Sequence, residues 1–131
     1  MPARRILLDT NALVFSVKNK LDLVKYFEDD LAGSSIRIEV PTGVISELGN
    51  ISNAGNKKDS AAAGVAIRML RAWIAEDRVH PVRSDRTVDD WLILQGKTDP
   101  DVSVCTYDAE LKEYLKKLGV QIITPRGRSR H

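Results

Sequence analysis

The chain has 131 residues, of which 20 are Lys or Arg and 18 Asp or Glu, for a formal net charge of +2. This length suits one domain with a core of its own, and 43% hydrophobic against 29% charged residues excludes wholesale disorder. A single cysteine, Cys105, excludes an internal disulfide and a multi-cysteine zinc site. No apolar run approaches the length of a membrane span. Only Ile6, Leu7 and Leu8 follow the basic start before Asp9 interrupts, which is too short for a secretory segment, so the expectation is a cytoplasmic globular domain. The charge is uneven. Residues 112–131 hold six basic side chains against Glu113 alone, a local +5 on a body of −3, which suggests a polyanionic partner or a solvated helix face with a ragged basic tail.

Read in chain order, apolar and polar residues alternate between strand and helix patterns. Arg5-Ile6-Leu7-Leu8 reads as a buried strand ending at Asp9. Asn11 to about Asp30 reads as one helix, with Leu21, Val24, Phe27 and Leu31 three or four apart. Ile36 to Val40 alternates as a strand that Pro41 stops. Thr42 is placed to cap a helix carrying Val44, Ile45 and Leu48. The polar stretch Asn50 to Asp59 reads as a loop. A helix from Ser60 to about Ala75 carries two stripes, Val65/Met69/Trp73 and Ala66/Leu70/Ile74, the first candidate for a homodimer face. Val79 to Val82 is a weak strand, Thr87 or Asp89 opens a helix through Trp91, and Val102 to Thr106 is a strand. Asp108 caps a helix from Ala109 to Leu118 that Gly119 ends, and Val120 to Ile123 is the last strand. The expected fold is α/β, a three-layer sandwich around a parallel sheet of four or five strands, over residues 1–125, with a basic tail at 126–131.

In such sheets ligands bind beyond the carboxyl ends of the strands. Asp9, Glu47, Asp89 with its neighbour Asp90, and Asp108 all fall near those ends, on four separate segments. Converging carboxylates cannot all ionise without a compensating cation, and oxygen-only donors select Mg²⁺ or Mn²⁺. Two such ions would suit in-line hydrolysis of a phosphodiester. Each acid taken singly also reads as a helix cap or a solvated side chain, and spacing alone leaves both readings open.

Four segments carry a resemblance. Ile6-Leu7-Leu8-Asp9-Thr10-Asn11-Ala12-Leu13 resembles the opening motif of PIN-domain ribonucleases. Val40-Pro41-Thr42-Gly43-Val44-Ile45-Ser46-Glu47-Leu48 resembles the second, Asp89-Asp90-Trp91-Leu92-Ile93 the third, and Val104-Cys105-Thr106-Tyr107-Asp108-Ala109-Glu110-Leu111 the fourth. The order is that of the family, and within it the pattern is most similar to small free-standing archaeal PIN proteins related to the endonuclease that processes small-subunit ribosomal RNA. The resemblance implies a divalent-metal-dependent endoribonuclease acting on single-stranded or structured RNA. Its acids would be Asp9, Glu47, Asp89 and Asp108, with Asp90 the alternative to Asp89, and Thr10, Asn11 and Thr106 in support. Lys57, Lys58, Arg126 and Arg128 are candidate RNA contacts. Tyr107 departs from the family's usual Asn, which leaves open a catalytically weakened RNA-binding adaptor. A toxin with a co-encoded antitoxin, and a homodimer, also remain open.

Overall fold

The computed structural model describes residues 3–126. Five strands alternate with six helices in the order β1 (Arg4–Leu8), α1 (Thr10–Lys18), α2 (Leu23–Asp30), β2 (Ile36–Pro41), α3 (Thr42–Ala54), α4 (Lys57–Ala75), β3 (His80–Val82), α5 (Val88–Thr98), β4 (Val102–Cys105), α6 (Ala109–Lys117) and β5 (Gln121–Ile123). All strand pairs are parallel, and the sheet order is β3-β2-β1-β4-β5. The central strand β1 is covered on both faces, which is why Ile6, Leu7 and Leu8 form an uninterrupted, fully buried apolar run. The edge strands are three residues long, and Pro81 sits in one of them, where a missing ladder donor is tolerated.

Right-handed crossovers fix the layers. The chain moves from β1 to β2 to β3 in one direction, so α1 to α4 lie on one face. It then jumps back past β1 to β4 and on to β5, so α5 and α6 lie on the other. The packing agrees: α1, α3 and α4 contact one another, whereas α5 packs on β4 and α6, and α6 on β5. Because the direction reverses between β1 and β4, the helices leaving these two strands diverge and open a crevice at their carboxyl ends.

Local chemistry changed three of the expected elements. The helix expected from Asn11 to Asp30 is two helices. Asn19 closes α1, Lys20 takes a left-handed conformation (φ 55°), and the Asp22 side chain accepts from the Lys25 amide to cap α2. Leu21 keeps the apolar spacing across this break, so periodicity alone reads through it. The expected loop at Asn50–Asp59 is helical apart from Gly55 and Asn56. Ile51 extends the apolar face of α3 and packs on the core, and Asn56 caps α4 by accepting from the Asp59 amide at 2.9 Å. A Cβ on Gly55 would stand 2.7 Å from the Ile51 carbonyl oxygen, so the corner between α3 and α4 requires glycine. Thr42 does not cap its own helix. Its hydroxyl accepts from the Ser84 amide at 3.1 Å, and the Ser84 hydroxyl accepts from the Gly43 amide at 2.9 Å, which stitches the end of β2 to the segment after β3. Of the α4 stripes, Ala66, Leu70 and Trp73 are buried in the core and Met69 and Ile74 pack partly against it, whereas Val65 is half-buried at the groove between α1 and α4. Trp91 is likewise a core residue.

The amino end of β1 is closed by charge pairing. Arg5 donates to buried Glu39 at 2.7 and 3.0 Å, to Asp99 at 3.0 Å and to Gln95 at 3.0 Å, while Arg37 takes the second oxygen of Glu39 at 2.9 Å. The fork of Arg5 thereby ties β1 to β2 and to α5. Truncation of one partner leaves a buried charge short of its counter-ion. Arg5→Ala is expected to lower unfolding stability by about 3 kcal/mol, the lower end of the usual range because Arg37 remains. Urea denaturation of the variant beside wild type reads this directly, and a loss under about 1 kcal/mol would show that Arg37 alone satisfies Glu39.

Candidate active site

Asp9 is the residue immediately after β1, and it begins α1 as its N-cap. One carboxylate oxygen accepts from the Thr10 amide at 2.8 Å and the other from the Thr106 hydroxyl at 2.7 Å. The side chain is 5% exposed at the floor of a cleft. Thr106 ends the adjacent strand segment, and its oxygen also accepts from the Asp108 amide at 3.1 Å. One buried hydroxyl therefore couples the two acids that follow β1 and β4. Asp108 caps α6, accepting from the Leu111 amide at 3.0 Å. Asn11 closes the turn from the other side, its side-chain oxygen accepting from the Tyr107 amide at 3.0 Å. Glu47 projects from α3, where the Thr10 hydroxyl donates to it at 2.5 Å.

These residues converge on a cleft of about 440 Å³ lined by Asp9, Thr10, Asn11, Glu47, Asp89 and Asp108, with Val14, Ile51 and the Gly55–Asn56 corner forming much of the rest. The doublet at the start of α5 is separated by helix geometry. Asp89 lines the cleft, whereas Asp90 is exposed outside it, its amide donating to the Thr87 cap. A fifth acid, Asp59 in the first turn of α4, also lines the cleft. Sequence reading passed over it because its segment read as a loop. The available signal was Asn56 three residues ahead, the spacing of a helix cap. Asp59 is already partnered by Lys18, which holds its carboxyl below the usual range.

The electrostatics follow from burial and like charge. Asp9 is pushed up to about 6, chiefly by desolvation, with Asp89 and Glu47 adding repulsion and the bonds from Thr106 and Thr10 working against it. Asp89 is also raised, first by desolvation and then by Asp108, Glu47 and Asp90. Among the described residues, no Lys or Arg lines the cleft. Among the described residues, no three acidic, imidazole or thiol side chains yet form a ready coordination group. The donor set is nonetheless oxygen-only, negative and short of a counter-charge, which fits a hard divalent cation held by Asp9, Asp108, Glu47 and Asp89.

Tyr107 lies outside the cleft lining. Its ring stacks on Phe15, with centroids 4.0 Å apart, and its hydroxyl donates to the Pro125 carbonyl. The contact that serves the site comes from its backbone amide, which any non-proline residue supplies. Lys57 and Lys58 are exposed in the first turn of α4. Lys58 borders the groove between α1 and α4 rather than the acid cleft, and Arg126 is exposed just past β5. Arg128 lies outside the described residues.

Residues 6–128 match the family model described as PIN-like domain. The fold is similar to the structure of the PIN domain endonuclease Utp24, at 20% sequence identity and TM-score 0.70, covering 90% of this chain and 82% of that one. It is similar, too, to a domain of a functionally unknown protein from Methanocaldococcus jannaschii DSM 2661, at 14% identity and TM-score 0.66, covering 98% and 96%. A comparison with curated protein sequences returns no match.

The raised Asp9 carboxyl has a consequence for stability. With a folded value of about 6 against an ordinary 3.8, folding favours the protonated form. The cost of ionising Asp9 is absent below about pH 4, grows as pH rises towards about 6, and is complete above that, on the order of 3 kcal/mol. Asp9→Asn is therefore expected to raise Tm by about 5–10 °C near pH 8 in chelator-treated buffer, and to lose most of that gain near pH 4. Thermal denaturation at the two pH values checks it, and an equal shift at both would remove the electrostatic explanation.

Proposed function

The chain belongs to the family of PIN-like domains, and on that premise we propose that it is a divalent-metal-dependent endoribonuclease, hydrolysing phosphodiester bonds of single-stranded RNA at the cleft around Asp9. The observation that carries this reading is the convergence of Asp9, Glu47, Asp89 and Asp108, from four separate segments, on one cleft that no basic side chain lines among the described residues. Such a set is costly to the fold unless something else uses its charge.

Mg²⁺ or Mn²⁺, when bound, supplies the polarisation of an attacking water and neutralises charge on the leaving 3′ oxygen. The chain's own residues would divide the rest. Asp9 and Asp108 anchor the cation from adjacent strands, with Thr106 fixing their relative position. Glu47 and Asp89 complete the site from the helices of opposite faces, and Thr10 restrains Glu47. Asn11 holds the Thr106–Tyr107 turn and with it the cap at Asp108.

Ribosomal RNA processing is the role within this class that we favour, supported by the likeness in fold to the PIN endonuclease Utp24. A toxin would use the same chemistry, and co-expression with a small neighbouring partner distinguishes it by rescue of growth. The non-catalytic adaptor is disfavoured by the position of Tyr107, whose side chain leaves the cleft untouched and whose amide still serves Asn11.

Mn²⁺ calorimetry and cleavage of an unstructured RNA, run on the same preparations, test the proposal. Asp9→Asn and Asp89→Asn are expected to reduce cleavage by about 100-fold or more, whereas Asp90→Asn should remain within about threefold of wild type. Mn²⁺ should also raise the Tm of wild type and not that of Asp9→Asn. Equal Mn²⁺ affinity in wild type and Asp9→Asn, with no cleavage by either, would sink the nuclease reading.

A further inference from the structure

The carboxyl edge of the sheet carries its charges in a definite order. In the spatial sequence β3-β2-β1-β4-β5, Arg83 and Arg86 follow the first strand, Glu47 the second, Asp9 the third, Asp108 the fourth and Arg126 the fifth. Acids line the cleft in the middle and guanidinium groups stand at both ends, with Asp85 between the two arginines on the β3 side and Asp89, further along, turned to the cleft. Four inter-strand steps of about 4.8 Å separate the outer strands by about 19 Å.

The β3 side is a formed surface. Arg83 and Arg86, with Asp85, stand at the head of a depression of about 500 Å³ that runs from this edge along α5, past Trp91 and Leu94, to Gln95. Trp91 is 4% exposed, so the depression is backed by the core. The segment bearing the arginines is held in place, because Ser84 between them is bonded to Thr42 and to the Gly43 amide at the end of β2. Arg83 makes no side-chain hydrogen bond among the described residues. Arg86 pairs with Asp85 at 3.2 Å, but both side chains are largely exposed, and such a pair is weak enough to yield to a phosphate. On the β5 side, the Tyr107 hydroxyl holds the Pro125 carbonyl, which fixes the backbone just before Arg126.

We propose that single-stranded RNA lies across the carboxyl edge of the sheet, roughly perpendicular to the strands, with the scissile phosphodiester over Asp9 and its flanking phosphates held by Arg83 and Arg86 on one side and Arg126 on the other. The proposal rests on the nuclease reading and assigns its substrate track. The physical need is plain: Asp9, Glu47, Asp89 and Asp108 repel a polyanion, so binding energy must come from outside the reacting centre and be spent on placing the phosphodiester there. Tyr107 is then a positioning residue, acting through the segment that carries Arg126.

The test is fluorescence anisotropy of a labelled, unstructured 12-nucleotide RNA in EDTA, which isolates the flanking contacts from catalysis. Wild type is compared with R83A/R86A and with K116A/K117A, which removes the same charge from α6, away from the track. Loss of the two arginines is expected to weaken binding about tenfold and to reduce the slope of log affinity against log salt by about 1.4, with Tm unchanged. The lysine control should stay within about twofold. Tyr107→Phe, which keeps the stack on Phe15 but drops the bond to Pro125, should raise KM for the same RNA two- to threefold without altering kcat. If the arginine variant matches the lysine control while wild type cleaves RNA with Mn²⁺, the track is wrong and the nuclease reading stands. A wild type that neither cleaves nor holds RNA overturns both.

Discussion

The carboxylate of Asp9 sits where the chain reverses direction across the sheet, at the end of a strand buried on both faces, and hydrogen bonds from Thr10 and Thr106 hold it there. Its position forces much of the surrounding polar structure. Thr106 must present its hydroxyl from the neighbouring strand. Since that hydroxyl also receives the Asp108 amide, the start of α6 is fixed by the same atom. Asn11 then locks the intervening turn, and Thr10 reaches across to Glu47. A network built outward from one desolvated charge is rigid because each member satisfies the next.

The two ends of β1 use charge in opposite ways. At the amino end Arg5 is met by Glu39, Asp99 and Gln95, and the buried carboxylate of Glu39 has a guanidinium on each oxygen. At the carboxyl end Asp9 has hydrogen-bond donors but, among the described residues, no counter-ion, and Asp89 and Glu47 add repulsion. The first arrangement stabilises the fold by neutralisation. The second gives up stability to keep oxygen donors available, the pattern expected where binding or chemistry takes place. The cations excluded from the centre reappear beyond its margins, in the segments after β3 and β5.

Tyr107 shows how a departure from a family pattern can be absorbed. The position contributes its backbone amide to the site, and that contribution does not depend on the side chain. The ring, released from the cleft, packs against Phe15 and reaches the chain after β5. A side chain that looks disruptive beside a cleft acid therefore acts on the border of the site, two strands away from the acid on which the cleft is centred.

Much was legible in the sequence because it depends on local pattern. A buried apolar run ending in Asp, repeated alternation of strand and helix, and turn residues between them specify a parallel sheet with acids at its carboxyl edge. Asp9, Glu47 and Asp108 could be placed near that edge without knowing how the helices dock. What the tertiary structure alone decided is rotational and long-range. Successive helix residues differ by about 100°, so whether Asp89 or Asp90 faces the cleft depends on how α5 lies against β4, which no local pattern encodes. The stretch Asn50–Asp59 is polar enough to read as loop, yet it becomes helix on both sides of the Gly55–Asn56 corner because Ile51 reaches the core and α4 packs along α3, bringing Asp59 to the cleft. Arg83 and Arg86 look like ordinary surface charge until the strand order sets them at one end of the edge that has Asp9 at its centre. Strand and helix periodicity belong to neighbouring residues, whereas a site belongs to residues brought together by packing, and packing is settled only by the whole chain.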